Sequence, residues 1–305
     1  MRLVYYSLAN IPHDSREHQW IQSIRSLRRY NRSIPVWLFL LNGGSRELLS
    51  EAERWDVHVR LLGDYEEFLR QAHPRHSILA LYPTFHKFLV LPNLPQRDLT
   101  QVLYLDCDTF FFDDVNLLLD RYTAQEWYAR EEPSSLRSEL GYNPNHVNED
   151  LLQAITQGEG LRYTPPFNSG VCLMNHGVWQ RVAGLRNDYF DLVWRLLCGR
   201  EINRDDCNGH DRAVQQAVAE VITDIDRRRA LPYPSAKDWI IEQIGLWLVL
   251  GRLPRFSLGT LSPSDVAQGS EFEAMLVSDH RCVLTHYFTG AEEAFFAAVS
   301  RAGTL

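Results

Sequence analysis

Along the first third of the chain, apolar and polar positions switch repeatedly between a strand pattern and a helix pattern. Residues 2–8 form an apolar run that predicts a strand. Residues 15–30 place Trp20, Ile21, Ile24 and Leu27 at helical spacing, which predicts a helix. A strand is expected over 36–41, closed by Asn42-Gly43-Gly44. A helix over 46–54, a short alternating strand over 57–61, a helix over 82–91 and a buried strand over 102–105 complete the series. Strands separated by helices predict an α/β fold, a parallel sheet with helices on both faces. In such sheets ligands gather beyond the carboxyl ends of the strands.

The second half is less regular. Proline-rich or polar stretches interrupt it at Pro133, at "GYNPNHVNED" and at "RYTPPFNSG". A strand over 170–175, helices over 178–197 and 211–221, a last strand over 283–286 and a closing helix over 292–301 are expected. The longest apolar run is "WIIEQIGLWLVLGRL", residues 239–253, interrupted by Glu242 and Gln243. It is too short to span a bilayer and predicts a buried helix. The other reading is an interfacial helix, which would give peripheral membrane contact and suit a lipid-linked substrate. No repeat, low-complexity segment or flexible linker divides the chain, so a single compact domain over 1–305 is expected.

Composition narrows the partners. With a net charge of -8, the chain lacks the general basic surface that nucleic acid requires. Arg25, Arg28, Arg29 and Arg32 fall at helical spacings and read as a solvated helix face. Five scattered cysteines (Cys107, Cys172, Cys198, Cys207, Cys282) include no CxxC pair. A reducing, cytoplasmic setting is therefore expected, with Cys207 as the most exposed thiol. The first strand begins at residue 2, so no secretory leader is expected.

The candidate chemistry lies in "VLYLDCDTFFFDD", residues 102–114. Asp106 and Asp108 follow an apolar strand and precede three phenylalanines. Aspartates are common at strand-to-turn junctions, because they bond nearby backbone N–H groups. Here the apolar flanks leave little water to solvate the pair. Two such carboxylates repel, and a divalent cation resolves the conflict. Hard oxygen ligands suit Mn²⁺ or Mg²⁺. A phosphatase of the haloacid-dehalogenase type also uses Asp-x-Asp after a strand. In that pattern the threonine comes one residue later than Thr109, and the motif lies near the start of the chain.

Three further segments follow in order. Asn168-Ser169-Gly170 lies in "PPFNSGVCLMN", Asp211 in "DCNGHDRAVQQA", and His286 and Gly290 in "VLTHYFTG". Singly, these also suit a turn, a helix N-cap and a structural histidine. The ordered set resembles glycosyltransferase family 8, the glycogenin-like and bacterial lipopolysaccharide glycosyltransferases. The resemblance covers residues 2–295. It implies a GT-A fold: a Rossmann-like mixed sheet with helices on both faces, residues 1–115 forming a nucleotide-sugar half and 116–305 an acceptor half.

The resemblance also assigns roles. Asp106, Asp108 and His286 match the family's metal ligands, for Mn²⁺ or Mg²⁺. Asn168, Ser169 and Gly170 match its sugar and acceptor segment, and Lys87 in "PTFHKFLVL" its basic donor contact. Ser7, Leu8 and Ala9 match the strand that faces the nucleotide base, and Gly290 matches the glycine after the histidine. Gly209, His210 and Asp211 match a Gly-x-Asp-Gln motif up to the aspartate, where Arg212 replaces the glutamine. Glu292 and Glu293 fall where the family has a phosphate-binding lysine close by, and Lys237 or Arg281 is left as its substitute. The implied activity is metal-dependent, retaining transfer of a hexose from a nucleotide-sugar, such as a UDP-hexose, to a saccharide or glycoconjugate. Asp211 and Asn168 are the implied catalytic residues. A catalytically silent nucleotide-sugar binder is the alternative that Arg212 and the missing lysine leave open.

Overall fold

The computed structural model describes residues 1–9, 16–72, 86–95, 98–131, 149–198, 241–268, 271 and 282–287, with backbone alone at 149–151 and 194–198. The elements expected at 211–221 and 292–301 lie outside the described residues. So do Cys207, Gly209, His210, Asp211, Arg212, Lys237, Arg281, Gly290, Glu292 and Glu293.

The strands and helices expected up to residue 61 are present. Strands β1 (Arg2–Ala9), β2 (Val36–Leu41) and β3 (Val57–Leu61) alternate with helices α1 (Arg16–Tyr30) and α2 (Arg46–Arg54). α3 (Tyr65–Ala72), which was not expected, and a four-residue helix α4 (His86–Leu89) follow, then β4 (Gln101–Leu105). Of the helix expected over 82–91, the described part is α4 with a 3-10 turn at Leu91–Asn93. The short β5 (Thr109–Phe111) and α5 (Val115–Arg121) come next, the latter capped by the Asp114 side chain.

The sheet runs β3-β2-β1-β4-β7-β6-β8, where β6 is Trp127–Glu131, β7 is Phe167–Asn175 and β8 is Leu258–Thr260. β1 to β4 are mutually parallel. β7 runs antiparallel to both β4 and β6, so the parallel arrangement that alternation predicts holds for β1 to β4 and the sheet is mixed, as the resemblance implies. The pattern of residues 2–105 holds no signal for this, because the reversal occurs in the second half. A small sheet, β5-β10-β9, sits beside it, with β9 at Val266–Gln268 and β10 at Leu284–His286.

Burial explains why the central strands read as unbroken apolar runs. Leu3 and Tyr5 enter one core cluster, while Val4, Tyr6 and Leu8 enter another on the opposite face. A strand covered on both sides has no polar face to alternate with. The helix expected over 178–197 is two helices, α7 (Val178–Gly184) and α8 (Arg186–Cys198), separated at Leu185. Gly184, a poor helix former, ends the first. α6 (Glu149–Gly158) was not expected.

α9 (Ile241–Leu250) is buried at every residue, so the interfacial reading of this helix gives way to the buried one. Among the described residues no helix is long and apolar enough to cross a membrane. The arginine stripe is also corrected. Arg29 and Arg32 are exposed, but Arg28 is buried and donates hydrogen bonds to the carbonyls of Asn31, Ile34, Trp55 and Asp56. Four carbonyl partners let a buried guanidinium replace its lost hydration.

Arg25 makes two 3.0 Å hydrogen bonds to Glu51, which ties α1 to α2, and Trp55 Nε1 donates to the same carboxylate at 2.8 Å. Arg25 outweighs the effect of burial and holds the Glu51 carboxyl down at about 2, against an ordinary value of 4.5. The folded state therefore binds this proton less readily than the unfolded chain. The stabilisation is complete above pH 4.5 and is lost as pH falls towards 2. Glu51→Gln is expected to lower unfolding stability by about 2 kcal/mol at pH 7 and by much less near pH 3. Urea denaturation at both pH values checks this, and an equal loss at both contradicts it.

Candidate metal centre

β4 ends at Leu105, and Asp106 is the first residue beyond it. Two neighbours fix this turn. Asp106 N donates to Gly170 O at 2.8 Å, which continues the β4–β7 ladder. On the other side, β5 pairs with β10 so that Thr109 lies opposite His286, and Tyr287 N donates to Asp108 O at 2.9 Å. α1 holds β5 in place: Tyr6, Ser23 and Thr109 hydroxyls form a chain of 2.9 Å contacts, and Phe111 N donates to Ser26 Oγ at 3.0 Å. His286, 178 positions after Asp108 in numbering, is thus delivered by strand pairing.

His286 Nε2 lies 3.3 Å from Asp108 Oδ1 and 3.6 Å from Asp106 Oδ2. One ligand atom from each of Asp106, Asp108 and His286 falls within 4.8 Å of the others. Gly170 makes room for the imidazole. A Cβ there would stand 2.0 Å from His286 Cε1 and 2.3 Å from Nε2. No side chain larger than hydrogen fits against the ring without displacing it.

Lys87 closes the other side. α4 is tied to β1 by His86 Nδ1, 2.9 Å from Ser7 Oγ, and by Tyr5 OH, which donates to Lys87 O at 3.3 Å. Lys87 Nζ then lies 2.9 Å from Asp106 Oδ2 and 2.9 Å from Glu242 Oε1. Ser169 Oγ donates to Glu242 Oε1 at 2.6 Å, and Ser169 N donates to Gln243 Oε1 at 2.7 Å. Asn168 Oδ1 accepts from Gly170 N at 2.9 Å, which stiffens the start of β7. Tyr104 OH donates to Asp106 Oδ1.

The electrostatics follow from this crowding. Burial lowers the Lys87 amine, but Asp106 and Glu242 outweigh it, so the ammonium stays charged. Burial raises the Asp106 carboxyl, and Lys87, His286 and Tyr104 more than reverse this, holding it well below the carboxylate range. Burial also raises Glu242, with Lys87 opposing. For His286, Asp108 and Asp106 overcome burial and push the imidazole up to about 9.

Lys87 touches Asp106 and Glu242, and Asp108 adds a third carboxylate to this largely buried cluster; with His286 protonated the excess is one negative charge, and with it neutral, two. A divalent cation with neutral His286 balances it. Asp108 Oδ1 is buried, and the His286 imidazole 3.3 Å away is the one polar partner found for it among the described residues, an environment that suits a ligand oxygen. The oxygen, oxygen and nitrogen donor set fits Mn²⁺ or Mg²⁺.

The structure brings together Lys87, Asp106, Asp108, Asn168, Ser169, Gly170 and His286. Ser7 joins through His86, while Leu8 and Ala9 pack into the core on opposite faces of the sheet. Glu242, Gln243 and Tyr104 were not expected. The first two stand as polar breaks in an apolar run, and a charge inside a buried helix was the available signal. Tyr104 gave none, since it reads as an ordinary core aromatic.

No protein-family model matches the chain, and no curated protein matches its sequence. Among solved structures the chain is similar to the galactosyltransferase LgtC in complex with donor and acceptor sugar analogs. That match is 15% identical over 100% of both chains, with a TM-score of 0.50. An active-site mutant of LgtC matches at 16% identity over 100% of both chains, TM-score 0.51. The apo bifunctional glycosyltransferase WbbM matches at 14% identity and TM-score 0.50, over 94% of this chain and 45% of that one. The chain has the mixed α/β GT-A fold of these glycosyltransferases.

Gly170→Ala is expected to displace His286 and weaken Mn²⁺ binding on the order of tenfold. Calorimetric titration with MnCl₂, alongside circular dichroism to confirm the fold, checks this; unchanged affinity in a folded variant contradicts the contact.

Proposed function

We propose that the chain is a metal-dependent, retaining glycosyltransferase that moves a hexose from a nucleotide-sugar, a UDP-hexose, to a saccharide, lipid-linked or protein acceptor. One observation carries this reading. Asp106, Asp108 and His286 converge beyond the carboxyl end of β4, beside a buried lysine, within a glycosyltransferase fold. The carboxyl ends of the strands are where ligands of α/β folds bind.

Asp106, Asp108 and His286 would hold the cation. Once bound, a divalent ion supplies Lewis-acid stabilisation of the charge that develops on a departing diphosphate. Lys87 adds a fixed positive charge in a site from which water is largely excluded. Its two carboxylate partners hold it in one position, so little reorganisation accompanies charge development. Tyr104 and Lys87 together orient Asp106. Asn168, Ser169 and Gly170, at the start of β7 beside this cluster, would meet the transferred sugar and acceptor. Asp211 belongs to the proposal as the carboxylate that stabilises an oxocarbenium-like sugar. Retention, the UDP moiety and the role of Asp211 rest on the sequence resemblance.

Calorimetry with UDP, in Mn²⁺ and then in EDTA, tests the reading on wild type and Asp108→Asn. Micromolar binding that needs both metal and aspartate is expected, together with slow metal-dependent hydrolysis of a UDP-hexose. Unchanged binding or turnover in Asp108→Asn contradicts the metal assignment. Donor affinity with neither transfer nor hydrolysis identifies a silent nucleotide-sugar binder instead.

A further inference from the structure

Glu242 is the buried acid that glycosyl transfer, as described, leaves without a task. It stands in the first turn of α9 and is 3% exposed. Its Oε1 receives hydrogen bonds from Lys87 Nζ at 2.9 Å and Ser169 Oγ at 2.6 Å. Its Oε2 is buried and takes no hydrogen bond among the described residues. A half-satisfied buried carboxylate destabilises a fold. The rest of α9 is mainly Ile, Leu, Val and Trp, so packing alone calls for an apolar residue here.

The geometry of Lys87 supplies the missing reason. Its ammonium is equidistant, 2.9 Å, from Asp106 Oδ2 and Glu242 Oε1. Asp106 Oδ2 is also the oxygen that lies 3.6 Å from His286 Nε2, on the metal side of the carboxylate. With Asp106 as its sole partner, Lys87 would neutralise this oxygen and compete with a cation for it. With Glu242 drawing on the same ammonium, Asp106 is held in position yet keeps more of its charge for a metal.

We propose that Glu242 is a positioning residue that sets the divalent-cation affinity of the Asp106–Asp108–His286 cluster by sharing Lys87 with Asp106. The proposal rests on the reading of that cluster as a cation site. It makes Lys87 a regulator of ligand strength as well as a donor contact, and it makes the charge on α9 part of the metal centre's outer support.

The test is a Mn²⁺ titration of the full chain followed by electron paramagnetic resonance, without nucleotide. It is run on wild type, Glu242→Gln, Lys87→Met and the double variant, with thermal unfolding as the fold control. Glu242→Gln alone is expected to weaken Mn²⁺ binding about tenfold. In the Lys87→Met background the same change is expected to cost less than about threefold, because the effect travels through the ammonium. Unchanged affinity in folded Glu242→Gln overturns the proposal, as does an equal loss in both backgrounds. If Glu242→Gln alone does not fold, the comparison of Lys87→Met with the charge-balanced double variant still decides. Lys87→Met binding Mn²⁺ more tightly than wild type, with less than about threefold of that affinity lost in the double variant, supports the proposal; no gain in Lys87→Met, or a loss of about tenfold in the double variant, overturns it. A wild type that binds no Mn²⁺ overturns the cation site and this proposal together. A wild type that binds, with Glu242→Gln unaffected, overturns the role of Glu242 alone.

Discussion

An ammonium buried between two carboxylates is the constraint on which the candidate site depends. Lys87 reaches Asp106 on one side and Glu242 on the other at 2.9 Å. Charges this deep are tolerated only when paired and hydrogen-bonded. The pairing therefore ties three separate elements together: the short helix α4, the end of β4 and the start of α9. Removing any one of these charges would leave another uncompensated. The same arithmetic leaves the cluster negative once Asp108 is included, and that residual charge is what a divalent cation would meet.

Topology does the rest of the assembly. A wholly parallel sheet would place a strand of the same direction beside β4. The antiparallel β7 instead brings its own N-terminal end, Asn168 to Gly170, against the carboxyl end of β4. The small β5-β10-β9 sheet brings His286 to the opposite side. Gly170 is the point where the two arrangements meet, since only its lack of a side chain lets the imidazole approach. The reversal of β7 and the position of β10 are thus parts of one solution to the problem of gathering ligands from distant segments.

Much of this was legible in the residues. The strands and helices up to residue 61 stood out because each carries a strong single period or an unbroken apolar run. Asp106 and Asp108 stood out because carboxylates between apolar segments lack an ordinary explanation. His286 and the Asn168–Gly170 turn were linked to them by order and resemblance. Other features were silent for physical reasons. β5, β8 and β9 are three residues each, too short to show a period. β6 carries Arg130, whose guanidinium is buried against Leu261 O and Glu271, so its sequence breaks the expected alternation. Arg28 looked like one member of a solvated stripe, because a helix face cannot show in advance which arginine a neighbouring loop will bury. Glu242 was visible only as a flaw in an apolar run, and its meaning appeared once Lys87 was seen beside it.

The most direct measurement of the central claim is an anomalous difference map, collected at the manganese absorption edge, from crystals soaked with Mn²⁺ and UDP. A single strong peak is expected among Asp106, Asp108 and His286, within bonding distance of all three. A peak elsewhere, or no peak in crystals whose UDP is visible, would contradict the assignment of this cluster as the metal centre.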